Sequence, residues 1–430
     1  MSQSAQATAP PPAPTPAAQP AAAVATPPVA TPALSQTPRR LQMLTVGVLI
    51  AGILFGVVGG ACFALQARAL SRAGANAEQL VRVQQIQTDL LSADATATNA
   101  FLVGGLEPPA QREQYDRLIS EASELIATAA DAQPADAAAL SALNDDVVSY
   151  ASTIELARAN NRQGFPIGAQ YLRTASAGLR ADALPILDTL VSVNTDRAAD
   201  EMGARPGWWF EGIGLVLLAG VVLMMVFVAR TFRRTINVGL LVAAVIMLVV
   251  LVGGAIALGR TGSALNGLQT DALQPLSATA QARIRGNDAK ANESLTLISR
   301  GSGASFEQAW KDSAAVVTTS LARVDDAGLT SKWTAYTEVH TQIRKLDDGG
   351  RWDDAVALAT GTGAKSANAT FSAFDTAGIT VVDDLAQDLA SGLGTPRTGM
   401  IIAAILALAA GVAAALFGRR GLALRLREYR

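Results

Sequence analysis

The chain has 430 residues, half of them hydrophobic, with a formal net charge of -2, one cysteine and one histidine. Its mean hydropathy of +0.28 excludes an ordinary soluble domain unless the apolar excess is gathered into membrane spans. The single Cys62 excludes an intramolecular disulfide, and the single His340 leaves no second imidazole for a metal centre.

Residues 1–38 are Ala, Pro, Thr, Gln and Ser with almost nothing apolar and bulky. Such a segment cannot bury enough surface to fold, so it reads as a disordered tail. Four apolar runs follow at 42–66, 208–229, 236–259 and 398–418. Each holds about 20 residues or more, enough at ~1.5 Å per residue to cross a ~30 Å hydrocarbon layer. Glu211, beside Trp208 and Trp209, is the only acid within them. Orientation follows from arginine placement in the short segments. Arg39 and Arg40, the loop 230–235 with Arg230, Arg233 and Arg234, and the tail 419–430 with Arg419 and Arg420 hold 10 arginines against one acid, Glu428. These segments are expected in the cytoplasm, as are both termini, with residues 67–206 and 260–397 outside. The Arg39-Arg40 pair reads as a positive-inside anchor, not an export signal, and GGAC at 59–62 lacks the Leu-like residue of a lipobox.

Both outer segments carry helical periodicity with steps of three and four, the seam of an antiparallel four-helix bundle. In the first, a helix continues from the span through Leu80, Val83, Ile86 and Leu90 to Gly104-Gly105. A second starts after Pro108-Pro109, a third follows Pro134, and a fourth runs from Leu172 to Val193 with a kink expected at Pro185. In the second segment, helices carry Leu265 to Leu276, then Phe306 to Val324, Trp333 to Ile343, and Phe371 to Leu389. GLGTP at 392–396 is expected to break the chain before the last span. No stretch alternates with period two, so the fold class is all-α: four transmembrane helices and two tandem bundles. An offset of 186 pairs Tyr150 with Tyr336, Arg158 with Arg344, Gly164 with Gly350, Ala169 with Ala355, Leu172 with Leu358 and Thr174 with Thr360. A one-residue slip then pairs Asp188-Thr189 with Asp375-Thr376, which marks the bundles as an internal repeat.

Little in the sequence points to catalysis. The stretch DDGGRWDDAVALAT at 347–360 invites an acidic-site reading, but it lacks the alternating ligands and closing Glu of a calcium loop, and its counterpart NRQGFPIGAQYLRT has no acid. Gly349-Gly350 are expected to end a helix in left-handed conformations, and Asp353 and Asp354 to open the next. The stretch falls at the membrane-distal tip of its bundle, where Trp352, with Phe165 on the other tip, is expected as an exposed partner anchor. His340 falls on the core face of its helix, a buried and satisfied histidine with a pH-responsive site as the alternative. Arg82, Arg158, Arg173 and Arg180 read as helix-face charges, with a carboxylate clamp as the alternative. Gly52, Gly56 and Gly60 recur every four residues, as do Ala403, Ala407 and Gly411, and allow close helix contact within the chain or in a homodimer. No metal, cofactor, nucleic acid or enzymatic role is expected. The partners expected are the bilayer and proteins on either side of it.

Helical bundles continuous with spans resemble the sensory domains of bacterial chemoreceptors and sensor kinases, without their output modules. The four-span layout, repeat and Arg/Ala-rich composition from about residue 40 resemble the GlnX-type actinobacterial membrane sensors. That resemblance implies a signal relay in which the outer bundles read an extracytoplasmic solute-binding lipoprotein for amino acids. The arginines Arg230, Arg233, Arg234, Arg419 and Arg420 would then face a cytoplasmic Ser/Thr kinase. A small ligand could take the lipoprotein's place, and a passive envelope scaffold or accessory subunit of a membrane complex is the alternative.

Overall fold

The computed structural model describes residues 36–103, 107–163, 166–204, 207–232 and 237–427. All regular structure among them is helical. The helices are α1 (Gln36–Val103), α2 (Pro109–Ala132), α3 (Ala137–Arg162), α4 (Ile167–Gly178), α5 (Leu184–Gly203), α6 (Gly207–Phe232), α7 (Val238–Leu268), α8 (Gln274–Ile298), α9 (Ala304–Val324), α10 (Ala327–Asp348), α11 (Trp352–Thr360) and α12 (Ala367–Arg427). Of the tail predicted at 1–38, residues 1–35 lie outside the described residues, and 36–38 belong instead to the first turn of α1.

Local chemistry places the turns. Pro109 occupies the first turn of α2, where its missing N–H is no loss. Asp325 closes α9 in a left-handed conformation with φ 56°, and the Asp326 carboxylate then caps α10 by accepting from Leu329 N at 2.9 Å. At the end of α10 only Gly350 is left-handed, with φ 76°; Gly349 has φ -81° and needs no glycine. Asp353 and Asp354 do sit in the first turn of α11.

Proline departs from the kink expected at Pro185 and from the break expected at GLGTP. Before Pro185 and Pro275 the helix widens into a π-turn, Leu179–Ala183 and Gln269–Leu273, closed by a bond five residues back rather than four. The extra residue takes up the mismatch that proline's ring creates with the preceding turn, so α4–α5 and α7–α8 run on. At GLGTP the expected break does not occur, because α12 passes through Pro396 from bundle to span. Leu389, Leu393 and Met400 are buried across this stretch, and that packing outweighs the single hydrogen bond lost at proline. The break falls earlier: residues 361–366 separate α11 from α12 and split the fourth helix of the second half.

Among the described residues, four helices are long and apolar enough to cross a membrane, within Leu41–Val103, Ile167–Thr231, Val238–Ile298 and Ala367–Leu424. Their apolar parts bury Phe55, Phe63 and Phe210 against one another, with ring centroids 6.1 and 5.5 Å apart. They leave Val216, Leu223, Val249, Ile405 and Leu406 exposed, the arrangement that hydrocarbon solvates. The small-residue stripes meet within the chain. A Cβ on Gly56 would lie 3.0 Å from Gly411 Cα, and one on Gly52 would lie 2.7 Å from Ala415 N. Gly56→Val is therefore expected to lower stability by about 1–3 kcal/mol through forced separation of α1 and α12. Gly74→Ala, on the same helix with open space around it, should be neutral or slightly stabilising. Thermal unfolding in detergent micelles measures both.

Beyond the apolar layer, two cores form. One gathers Val83, Ile86, Leu90, Tyr115, Leu143, Tyr150, Leu172 and Leu187 from α1 to α5. The other gathers Trp310, Val317, Trp333, Tyr336, Ile343, Phe371 and Phe374 from α9, α10 and α12, with Ala282 and Ala289 of α8. They interlock, because α8 lends Ile284 and Leu295 to the first core and α1 lends Leu102 to the second. Burial also corrects the repeat register. Tyr150 and Tyr336 are equivalent at offset 186, but buried Gly168 and Leu172 answer to buried Ala355 and Ala359, as Leu184 and Leu187 answer to Phe371 and Phe374. The slip of one residue thus falls in the turn, and the identities Ala169/Ala355, Leu172/Leu358 and Thr174/Thr360 do not mark equivalent positions.

Candidate functional site

Each core holds a carboxylate on its first helix, reached by the repeated tyrosine. In the first, Asp94 is fully buried on α1 and accepts from Tyr150 Oη at 3.2 Å and from the Ser176 hydroxyl. In the second, Glu293 is fully buried on α8 and accepts from Tyr336 Oη at 3.3 Å. Sequence alone could align the tyrosines but not the acids, which sit at a different offset.

The two carboxylates are neutralised differently. Glu293 receives Lys290 Nζ at 2.7 Å, and His340 Nδ1 lies 2.9 Å from it. The imidazole stacks on Trp310, centroids 3.6 Å apart and nearly parallel, and its Nε2 lies 3.3 Å from Glu307. Arg344 closes the chain at 3.5 Å from Glu307. Burial disfavours charge on all of these groups, yet the pairing prevails. Lys290 and His340 hold Glu293 down to about 2, and the two glutamates hold His340 above its ordinary value. The histidine is buried as expected but only half satisfied: Nδ1 is hydrogen-bonded to Glu293, while Nε2 faces Glu307 at ion-pair distance without a hydrogen bond.

Asp94 is paired instead with a cation that it shares across the seam. Its cation is Arg180, 2.9 Å away, whose guanidinium also reaches Asp288 of α8 at 2.7 Å. Asp288 in turn accepts from Ser313 of α9 at 2.6 Å. The run Tyr150–Asp94–Arg180–Asp288–Ser313 thus passes from one bundle into the other. The helix-face reading is corrected for Arg180, and for Arg158, which is 5% exposed, bonds Glu107 at 2.8 Å and covers the Tyr115 ring at 4.1 Å. A helical spacing that puts an arginine over a bundle seam is blind to a second bundle beside it. Arg82 and Arg173 bond neighbours one turn away, Arg82 to Glu78 and Arg173 to Gln170.

Asp89 is an exception among the buried acids. It is 3% exposed, its Oδ1 accepts from Gln85 at 2.6 Å, and its Oδ2 has no donor. Burial pushes it up to about 7, with Gln85 opposing and Glu121 assisting. A carboxyl raised from its unfolded value favours folding in acid, and this contribution fades as pH rises toward 7. Asp89→Asn should therefore raise the melting temperature at pH 8, by the equivalent of about 2 kcal/mol, and leave it unchanged at pH 4.

The anchors foreseen at the tips are only partly described. Trp352 is half-buried, not freely exposed: its Nε1 donates to Leu297 O at 2.9 Å, and Arg300 stacks on its ring at 3.9 Å. Phe165 lies outside the described residues, as do Arg233 and Arg234. Arg230, Arg419 and Arg420 are exposed at the ends of α6 and α12. There Asn237 caps α7, accepting from Gly239 N at 3.1 Å, and donates to Gly421 O of α12 at 3.0 Å. The bond fixes the start of α7 against the arginine-bearing end of α12.

Residues 69–203, which run from α1 beyond its apolar part to the end of α5, match the family model of an actinobacterial sensor domain. Comparison with curated proteins and with solved structures finds no match. The family match suggests a sensing role for this part of the chain, and the four long apolar helices among the described residues fit a multi-pass membrane protein.

Proposed function

We propose that the chain is a non-enzymatic transmembrane sensor and signal relay, with both bundles outside the cell membrane and both termini in the cytoplasm. Its bundles recognise an extracytoplasmic solute-binding lipoprotein for amino acids, with the tips around Phe165 and Trp352 as the contact. A helix shift of about an ångström then reaches the arginine-rich end, where Arg230, Arg233, Arg234, Arg419 and Arg420 engage a cytoplasmic Ser/Thr kinase. The observation that carries the reading is continuity: α1 and α12 each run unbroken from a bundle core into an apolar segment. They lie against each other along the glycine stripe, so displacement of one at the bundle is felt at the far end. The sensor-domain match over the first bundle supports it independently.

Photo-cross-linking from position 352 in cells, followed by recovery of the chain, tests the outer contact. Replacing Arg419 and Arg420 by alanine is expected to abolish kinase recovery and leave the outer cross-link intact. Recovery of no partner on either side, or a rigid foreign bundle that restores signalling, would sink the relay in favour of a scaffold.

A further inference from the structure

Between the two bundles α1, α2, α8 and α12 enclose a cleft of about 250 Å³. Its lining is polar and rich in acceptors without partners among the described residues. Asp375 Oδ1 is taken by Arg283 at 3.0 Å and by Asn287 at 3.5 Å, while its Oδ2 accepts nothing. The side-chain carbonyls of Asn287 and Asn368 likewise face no donor: the Asn287 amide N–H groups serve Arg283 O and Asp375, and those of Asn368 serve Asn99 and Thr360 O. Gln111, which lines the cleft, has its Oε1 buried with no partner, although its Nε2 donates to Asn99 Oδ1 at 3.0 Å. One donor is orphaned as well, Nδ2 of Asn99, a residue only 4% exposed. Phe371 supplies the single aromatic wall. Farther down the same face of α1 lies the unpartnered Oδ2 of Asp89.

Orphaned groups at a cavity mark where a ligand's complementary groups belong: Gln111 Oε1 and Asn99 Nδ2 are buried without a partner, which costs about 1–3 kcal/mol for each, and the free oxygens of Asp375, Asn287 and Asn368 add acceptors beside them. The nearby cations are already engaged. Lys290 is held by Glu293 at 2.7 Å and by Ala359 O at 3.3 Å, and Arg283 is held by Asp375. The cleft therefore has carboxylate and carbonyl oxygens to offer and no free cation, which rejects anions and suits a group with several N–H donors beside an aromatic face. We propose that this cleft binds a small primary-ammonium compound, with the ammonium donating to Asp375, Asn368 and Gln111 and a hydroxyl or carboxylate of the same molecule accepting from Asn99. A ligand there touches helices of both bundles, so occupancy deepens the sensing reading by supplying an input at their seam. Binding is measured without any signalling readout, so that the site and the relay can fail separately.

Isothermal titration of the full chain in detergent micelles, with ethanolamine, propylamine, alanine and acetate as probes, tests it. Ethanolamine is expected to bind, propylamine about tenfold more weakly for want of the Asn99 bond, and acetate not at all. Alanine distinguishes a free amine from an amino acid as the natural source: binding above ethanolamine assigns the zwitterion, binding below it the amine. Asp375→Asn should weaken the ammonium probes at least tenfold. Because that change also removes the partner of Arg283, Gln111→Leu is the second variant; it leaves the Asp375–Arg283 pair in place and should weaken them about tenfold as well. Absence of binding by every ammonium probe at about 10 mM, tight binding of acetate, or affinity unchanged in both variants would overturn the proposal.

Discussion

Replacing Arg180 with alanine is expected to cost about 3–5 kcal/mol, because two buried carboxylates lose their common cation. Asp94 is fully buried and Asp288 is 6% exposed, and neither has another basic partner among the described residues. The hydroxyls of Tyr150, Ser176 and Ser313 remain, but they are neutral donors and do not offset two negative charges. The same change removes the ionic tie between the bundles. Unfolding followed by calorimetry in micelles should then pass from one transition to two, with the first bundle melting separately. A control separates charge from shape: Arg180→Met combined with Asp94→Asn and Asp288→Asn is expected to recover most of the loss. If the triple variant is as unstable as Arg180→Ala, packing and not charge holds the seam.

The second large effect belongs to Glu293. Glu293→Gln keeps the volume and leaves Lys290, which is 4% exposed, buried without its counter-ion, at a cost of about 3–5 kcal/mol. The pH dependence follows from the two shifts. Glu293 falls from 4.5 to about 2 on folding, so its contribution is complete above 4.5 and is lost as pH drops toward 2. His340 rises above 6.5 on folding, so its contribution is complete below 6.5 and is lost as pH climbs through the raised value. Stability from this cluster should peak between those limits, and Glu293→Gln should flatten both flanks. As His340 is the only histidine, its imidazole resonance in NMR titration reports the cluster alone. It should titrate above 6.5 in the native chain and move to lower pH in Glu293→Gln. An imidazole that titrates identically in both would show that Glu293 does not hold its proton.

Much of the architecture follows from periodicity, because burial on one face of a helix leaves its mark every three or four residues. Leu140, Leu143, Val147, Tyr150 and Ile154 of α3 are buried as their spacing demands, and His340 takes the inward place on α10 that the repeat assigns it. The turns were legible where a residue's backbone preference decides, as at Pro109 and Gly350. Pro396 was misleading for the same reason: its local preference is to stop a helix, and only the contacts of Leu389, Leu393 and Met400 with the neighbouring helices reveal that α12 continues. The candidate site was hardly visible, since a buried ion pair joins residues far apart in the chain and nothing in the spacing of Asp94, Arg180 and Asp288 announces that they meet.

By itself, then, the sequence determined that the chain is helical and that four of its segments suit a bilayer. Both rest on composition and period, which are properties of single segments. Tertiary structure decided what the halves do to one another. It brought the glycine stripes of α1 and α12 into contact and set Arg180 between carboxylates of two bundles. It also left acceptors facing a cleft at the seam. These depend on distances between helices remote in the chain, where Coulomb attraction, close packing and desolvation act only once the fold has formed.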